Sequence, residues 1–112
     1  MHESSVTESI LKIATQTAIE NNAKKIIFIN IAVGELTGFI GESIQFYFDR
    51  YSKDTIAEGA KLNIRYIKPE FECMNCGRMF PKNDEIKCPY CSGEGRSTKI
   101  GQEFFVENIE IE

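Results

Sequence analysis

The sequence contains the segments CMNCG at residues 73–77 and CPYC at residues 88–91, which together hold all four of its cysteines. Two residues between the cysteines of each pair let the chain bend so that both sulfurs point the same way. Gly77 adds backbone freedom after the first pair, and Pro89 fixes one backbone angle inside the second. Two such pairs can converge as four thiolates on one tetrahedral ion, so the spacing predicts a metal-binding lobe.

Zinc is the favoured ion for this predicted site, because it accepts four sulfur ligands in a tetrahedron and has no redox chemistry. The predicted ligands are Cys73, Cys76, Cys88 and Cys91. The residues alone leave two alternatives open, namely iron in a rubredoxin-like site and a pair of disulfides. Nothing marks the protein as secreted, which weighs against disulfides. A closed four-cysteine zinc site leaves no open position for catalysis, so we expect a structural ion.

The composition indicates a small globular protein without a nucleic-acid function. Hydrophobic residues make up 42% of the 112 positions, which suffices for one core with or without a metal lobe. The formal net charge is −4, whereas nucleic-acid-binding domains usually carry a basic field. No apolar run reaches membrane length, and no signal-peptide pattern opens the chain. We therefore expect a cytoplasmic protein, since free thiols persist there, with no membrane or nucleic-acid partner.

Periodicity predicts a first helix over residues 5–21. Ser5 and Glu8 fit a capping box at its start, and Asn21-Asn22 fit a left-handed stop at its end. The predicted apolar stripe comprises Val6, Ile10, Ile13, Ala14, Thr17 and Ala18. A second helix is predicted over residues 42–53, where the consecutive aromatics of residues 46–48 span more than one face, so we expect one of them to be exposed.

Three further segments have the pattern of strands. Residues 25–33 are rich in β-branched side chains on both faces, as in a central strand, and residues 60–68 alternate. Residues 103–112 form a last strand that we expect to return to the sheet of the other two. The predicted fold class is α+β: a small mixed or antiparallel sheet with two helices, formed by residues 1–69 and 100–112. Residues 70–99 form an inserted, zinc-ribbon-like lobe.

The single histidine of the chain, His2, directly follows Met1. A histidine at a chain end is ordinarily a solvated side chain. Here, because His2 is bulky, we expect Met1 to be retained, so that an amine, the His2 amide and the His2 imidazole can chelate one ion. The Glu3 amide nitrogen can supply a fourth in-plane donor, or the Glu3 carboxylate an oxygen. Tetragonal ligation by nitrogen and oxygen favours Ni(II) or Cu(II) over zinc.

Several motifs together resemble the HypA/HybF family of hydrogenase nickel-incorporation proteins. They are Met-His-Glu-x-Ser at residues 1–5, Val-Gly-Glu-Leu at residues 33–36, Glu-Ser-Ile-Gln-Phe at residues 42–46, both cysteine pairs and the closing residues 103–111. The cysteine pairs alone are unspecific, whereas their combination with the amino-terminal motif is specific. Gly41 stands where the family commonly has proline.

The resemblance implies a metallochaperone that carries Ni(II) to [NiFe]-hydrogenase and, in some members, serves urease. The implied partners are a nickel-carrying maturation GTPase, the hydrogenase large-subunit precursor and, where urease is served, urease accessory proteins. The implied nickel donors are the Met1 amine, His2 and Glu3, and the implied zinc ligands are the four cysteines. The implied fold has two helices, a small sheet and an inserted zinc domain.

Two other functions remain as alternatives at this point. One is a zinc-ribbon interaction module whose amino terminus has no role in metal binding. The other is a metal enzyme, but with one histidine and all cysteines committed, no catalytic constellation remains. Acidic residues such as Glu35, Asp49 and Asp84 are expected to lie on a solvated face.

Overall fold

A computed structural model describes residues 2–112 and contains two helices and six strands in this range. The helices are α1 (Glu3–Glu20) and α2 (Gly41–Tyr51), and a short 3₁₀ helix spans Glu35–Thr37. The strands are β1 (Ile26–Gly34), β2 (Lys61–Ile67), β3 (Glu70–Cys73), β4 (Met79–Pro81), β5 (Gly95–Ser97) and β6 (Phe104–Ile111). They form two three-stranded sheets, in the orders β2-β1-β6 and β4-β3-β5.

Helix α1 begins at Glu3, so the predicted start at Ser5 is wrong. The carbonyl of His2 already accepts hydrogen bonds from the amides of Ser5 (3.1 Å) and Val6 (3.2 Å). Ser5 therefore lies inside the first turn, and His2 occupies the N-cap position without a capping hydrogen bond from its side chain. The predicted capping box of Ser5 and Glu8 does not form, because its backbone position is one turn too late.

The buried face of α1 is narrower than predicted. Val6, Ile10, Ala14 and Ala18 repeat every four residues and are buried, and Thr7 lies beside them. The predicted stripe is wrong at Ile13, whose side chain is 51% exposed, and at Thr17, which is also exposed. The predicted stop is confirmed: Asn22 has a φ of 57°, and the amide of Ala23 donates to the carbonyl of Ala18 at 2.9 Å.

Strand β1 is the central strand of its sheet, as its apolar character on both faces predicted. Ile26, Ile29, Ile31, Ala32 and Val33 are fully buried. Strand β6 pairs with β1, which confirms that the carboxyl-terminal segment returns to this sheet. Helix α2 buries Ile44 and Phe48 and leaves Phe46 55% exposed, as expected for one of its three consecutive aromatics.

The second sheet has its own apolar core. Strand β3 pairs antiparallel with β4 and β5. Phe71, Phe80, Cys73 and Cys88 form one buried cluster, and Ile86 packs against it. Two members of this cluster are predicted metal ligands, so the core of the lobe and its metal site share side chains.

Internal contacts divide the chain into two compact units. One comprises Met1–Ala32, Phe39–Arg65 and Phe105–Glu112, and the other comprises Val33–Gly38 and Tyr66–Phe104. The second unit includes all of residues 70–99 together with Val33–Gly38, which holds the end of β1 and the 3₁₀ helix. Within residues 2–112, no helix is both long enough and apolar enough to span a membrane.

The carboxyl-terminal end of β1 requires glycine at position 34. A Cβ atom on Gly34 would lie 2.1 Å from the carbonyl carbon of Gly101, which is backbone and cannot rotate away. The two segments are joined by hydrogen bonds from Gly34 N to Glu103 O (2.7 Å) and from Leu36 N to Gly101 O (2.8 Å). The Val-Gly-Glu-Leu motif is thus a site of close backbone approach.

Candidate metal centres

The first cysteine pair sits on a tight turn at the end of β3. The amide of Gly77 donates to the carbonyl of Cys73 at 3.0 Å, and Gly77 has a φ of 76°, which explains the glycine. Within this turn the amides of Asn75 and Cys76 point at the Cys73 sulfur, at 3.4 and 3.3 Å. The turn therefore places donors around a sulfur that is expected to carry negative charge.

The second pair repeats this geometry without a glycine. Ser92 N donates to Cys88 O at 2.9 Å, and Ser92 takes the left-handed position with a φ of 64°. The amide of Tyr90 donates to the Cys88 sulfur at 3.4 Å. Two contacts join the segment after this turn to the first pair: Cys73 lies opposite Gly95 in the pairing of β3 with β5, and Met74 N donates to Glu94 O at 2.9 Å.

The structure brings the four cysteines together as one group. Their sulfurs all lie within 4.8 Å of one another, with 3.4 Å between Cys73 and Cys91 and 3.6 Å between Cys76 and Cys88. At a zinc–sulfur distance of about 2.3 Å, the sulfurs of a tetrahedron lie about 3.8 Å apart. A disulfide requires about 2.05 Å, and all four are free cysteines. The arrangement therefore fits one tetrahedral ion and does not fit two disulfides.

The surroundings of the sulfurs favour the thiolate form at one cysteine of each turn. The Asn75 side chain, followed by the backbone amide of Gly93, lowers the pKa of Cys91 to about 6. The backbone amide of Cys76 lowers the pKa of Cys73. At Cys76 the backbone amide of Arg78 also acts to lower the pKa, but burial and the three neighbouring sulfurs raise it to about 11. A divalent cation would remove this competition by compensating the charge of all four sulfurs.

Two residues of the site were not identified from the sequence. Asn75 Nδ2 lies 3.6 Å from the Cys91 sulfur, so its side chain links the first turn to a ligand of the second. Gly93 packs so closely that a Cβ atom there would lie 2.8 Å from the Cys73 sulfur and 3.3 Å from the Cys91 sulfur. The sequence offered only their positions as a signal: Asn75 lies inside the first cysteine pair, and Gly93 lies two residues after the second.

Two of the predicted amino-terminal donors, His2 and Glu3, lie at the start of α1. His2 is exposed at the N-cap position, with φ −91° and ψ 151°. Glu3 is half-buried, and its Oε2 accepts a hydrogen bond from the amide of Ile40 at 2.7 Å. The Met1 amine, the third predicted donor, lies outside the described residues. Among residues 2–112, the four cysteines form the one group of three or more histidine, cysteine or acidic side chains positioned around a common point.

The comparisons with known proteins agree along the whole chain. Residues 1–111 match the family described as "Hydrogenase/urease nickel incorporation, metallochaperone, hypA". A hydrogenase maturation factor HypA of Caldanaerobacter subterraneus subsp. tengcongensis is 40% identical, with 100% of both chains covered. One of Dehalococcoides mccartyi is 42% identical over 100% of this chain and 95% of the relative.

Solved structures show the same fold. The solution structure of the Ni metallochaperone HypA from Helicobacter pylori superposes with a TM-score of 0.67 at 25% identity, covering 99% of this chain and 97% of the other. A second HypA solution structure gives a TM-score of 0.76 at 27% identity, covering 99% and 96%. Since the family match and the relatives both span the chain, this protein belongs to the HypA family of nickel-incorporation metallochaperones that act in hydrogenase maturation.

Proposed function

We propose that this protein is a non-enzymatic, cytoplasmic carrier that binds Ni(II) at its amino terminus and delivers it during maturation of [NiFe]-hydrogenase. The nickel donors in this proposal are the Met1 amine, His2 and Glu3. The observation that carries it is that the only histidine of the chain stands exposed at position 2, in a sequence that matches a nickel-incorporation family from its first residue.

The backbone at this end of α1 is suited to metal binding. The first amide groups of a helix have no carbonyl acceptor inside the helix. The His2 carbonyl, in contrast, is already engaged by Ser5 and Val6. An amide nitrogen binds nickel only after the metal displaces its proton. At His2 and Glu3 this deprotonation breaks no hydrogen bond of the helix ladder, so the ion can be bound while α1 remains intact.

A nickel site of this kind suits transport better than catalysis. It lies at an exposed chain end with little caging, so transfer of the ion to another protein is kinetically easy. Binding weakens as the pH falls, because the metal must displace the protons of the amides. The ion is cargo, and no reaction at the protein is needed.

In the same proposal, Cys73, Cys76, Cys88 and Cys91 hold a structural zinc ion. The fit of their sulfurs to a tetrahedron supports this assignment, as does the closed ligand set. Functionally, residues 1–69 and 100–112 act as the nickel-binding domain and residues 70–99 as the zinc-binding domain. The proposed partners are a nickel-carrying maturation GTPase, the hydrogenase large-subunit precursor and, if urease is also served, urease accessory proteins.

Calorimetric titration with Ni(II) tests the proposal on wild type, His2→Ala and, as a control in the same helical turn, the exposed Ser5→Ala. We expect His2→Ala to weaken Ni(II) binding by at least about a hundredfold, because it removes one of few donors, and Ser5→Ala to bind as wild type. Acetylation of the leading amine should weaken binding similarly. Unchanged stoichiometry and affinity in His2→Ala would refute the carrier. The zinc-ribbon interaction module would then be favoured, with the exposed Met74 and Tyr90 as its contact residues.

A further inference from the structure

The start of helix α2 lacks the usual means of capping. Its N-cap residue is Ile40, which has no side-chain acceptor and makes no capping hydrogen bond. A capping box would place Glu or Gln three residues later to accept from the N-cap amide, but that position holds Ser43. The Ile40 carbonyl is used normally and accepts from Ile44 N at 3.1 Å. The Ile40 amide therefore has no capping acceptor from within α2.

The carboxylate of Glu3 is that acceptor. Its Oε2 lies 2.7 Å from Ile40 N, a distance typical of a charge-assisted hydrogen bond. Glu3 belongs to the first turn of α1, so the bond joins the beginnings of two helices that are 37 positions apart in the chain. It also places a negative charge at the positive end of the α2 dipole. Glu3 thus performs for α2 the task that a local glutamate performs in a capping box.

We infer that the Glu3 side chain is a positioning residue: it caps α2 and thereby anchors the amino-terminal turn. This inference rests on the proposed nickel site and gives the Glu3 carboxylate a role apart from nickel ligation. The backbone amide and the carboxylate can act together, because they use different atoms. Ligation through Oε2 would instead remove the cap from α2.

Anchoring is of value to a site at a chain end. An unattached terminus has to be ordered when the ion binds, and that ordering opposes binding. The Glu3–Ile40 bond holds Glu3, one of the proposed donor residues, in one place before nickel arrives. The carboxylate is then a determinant of nickel affinity without touching the ion.

Three variants separate a positioning residue from a ligand. Glu3→Gln keeps an amide oxygen that can accept from Ile40 N but removes the carboxylate, and Glu3→Ala removes both. Glu42→Ala is the matched control, because Glu42 is an exposed acid in the first turn of α2. If Glu3 acted only through its charge on the α2 dipole, removal of the Glu42 charge would have a similar effect. The readouts are hydrogen exchange of the Ile40 amide in the nickel-free protein and the Ni(II) affinity by calorimetry.

For Glu3→Ala we expect Ile40 exchange to accelerate by about tenfold or more and the Ni(II) affinity to fall by about tenfold, as for the loss of one charge-assisted hydrogen bond. Glu3→Gln should stay within about threefold of wild type in both, and Glu42→Ala likewise. Unaltered Ile40 exchange in Glu3→Ala overturns the inference. So does a Glu3→Gln protein that keeps Ile40 protected but loses nickel affinity as Glu3→Ala does, because the carboxylate would then be a ligand.

Failure of the proposed nickel function is distinguishable from failure of the anchor. His2→Ala tests the former, and we expect it to leave Ile40 exchange at the wild-type rate. If His2→Ala binds nickel normally while Glu3→Ala still exposes the Ile40 amide, the nickel site is refuted and the cap is not.

Discussion

At residue 75, a single side-chain amide connects the two halves of the cysteine site. Asn75 donates to the Cys91 sulfur, and Cys91 is one of the two exposed cysteines. Hydrogen bonds to a metal-bound thiolate offset its charge and hold it in place. We expect Asn75→Ala to lower zinc affinity by about tenfold. The measurement is competition with a chromophoric chelator, with the exposed Met74→Ala as a control within the same turn. Equal zinc affinities for Asn75→Ala and wild type would contradict this role.

Individual residues could be predicted from the sequence where their role depends on local spacing, and not where it depends on a distant contact. The four cysteines were identified because their spacing is local and the chemistry admits few alternatives. Asn75, Gly93 and the Glu3–Ile40 bond were not, because each depends on a contact between segments that are distant in sequence. Asn30 is a similar case. It interrupts an apolar strand because its side chain bonds to Asn63 and Asn108 on the neighbouring strands.

Among the elements, types and order were predicted more reliably than ends. The periodicity of α2 and the return of β6 follow from side-chain pattern, which burial enforces along a whole element. The start of α1 was missed because a good local motif, Ser5 with Glu8, competed with a helix that begins at Glu3. With α1 beginning at Glu3, the Glu3 carboxylate accepts a hydrogen bond from the Ile40 amide. This contact is distant in sequence, so the local motif could not reveal it.

Strand β1 ends in a close backbone contact between Gly34 and Gly101, which a substitution can test. We expect Gly34→Ala to destabilise the protein by more than about 4 kcal/mol or to prevent folding, because the new Cβ overlaps the backbone at Gly101. Gly38→Ala is the matched control: its Cβ meets nothing within 4 Å, and its φ of 73° predicts a loss of only about 1 kcal/mol. Chemical denaturation measures both changes. Similar losses in the two variants would show that backbone conformation, and not the contact with Gly101, governs position 34.

On the scale of the whole molecule, the two compact units differ in what stabilises them. The unit of Met1–Ala32, Phe39–Arg65 and Phe105–Glu112 contains most of the buried aliphatic side chains, including those of α1 and the β1 residues up to Ala32. In the other unit, the buried cluster around Phe71 and Phe80 includes Cys73 and Cys88. We therefore expect its small core to depend on the proposed zinc ion to a degree that the first does not.

Metal removal should consequently loosen one unit selectively. After chelation we expect amide exchange to accelerate by at least about a hundredfold in the β3, β4 and β5 strands, and to change little in α1 and in β1 up to Ala32, because only the former would lose the proposed structural ion. Readdition of zinc should restore protection. Equal acceleration of amide exchange in both units would contradict the prediction that only one of them depends on the metal.

Acidification should also loosen the β3 to β5 unit selectively, and its stability should fall as the pH falls. The pKa of Cys91 is lowered to about 6 and that of Cys73 is also lowered, so stability contributed by these thiolates is present above the ordinary thiol pKa and is lost as the pH falls through the lowered values. Thiolates that bind zinc are protonated only at still lower pH, because the proton must displace the metal. We therefore expect zinc release only below about pH 6, together with exposure of the β3 to β5 amides. The measurement is zinc release and hydrogen exchange across a pH series, with exchange rates corrected for their intrinsic pH dependence. Protection of the β3 amides that persists after zinc has left would show that the apolar cluster alone suffices, and the ion would then have another role.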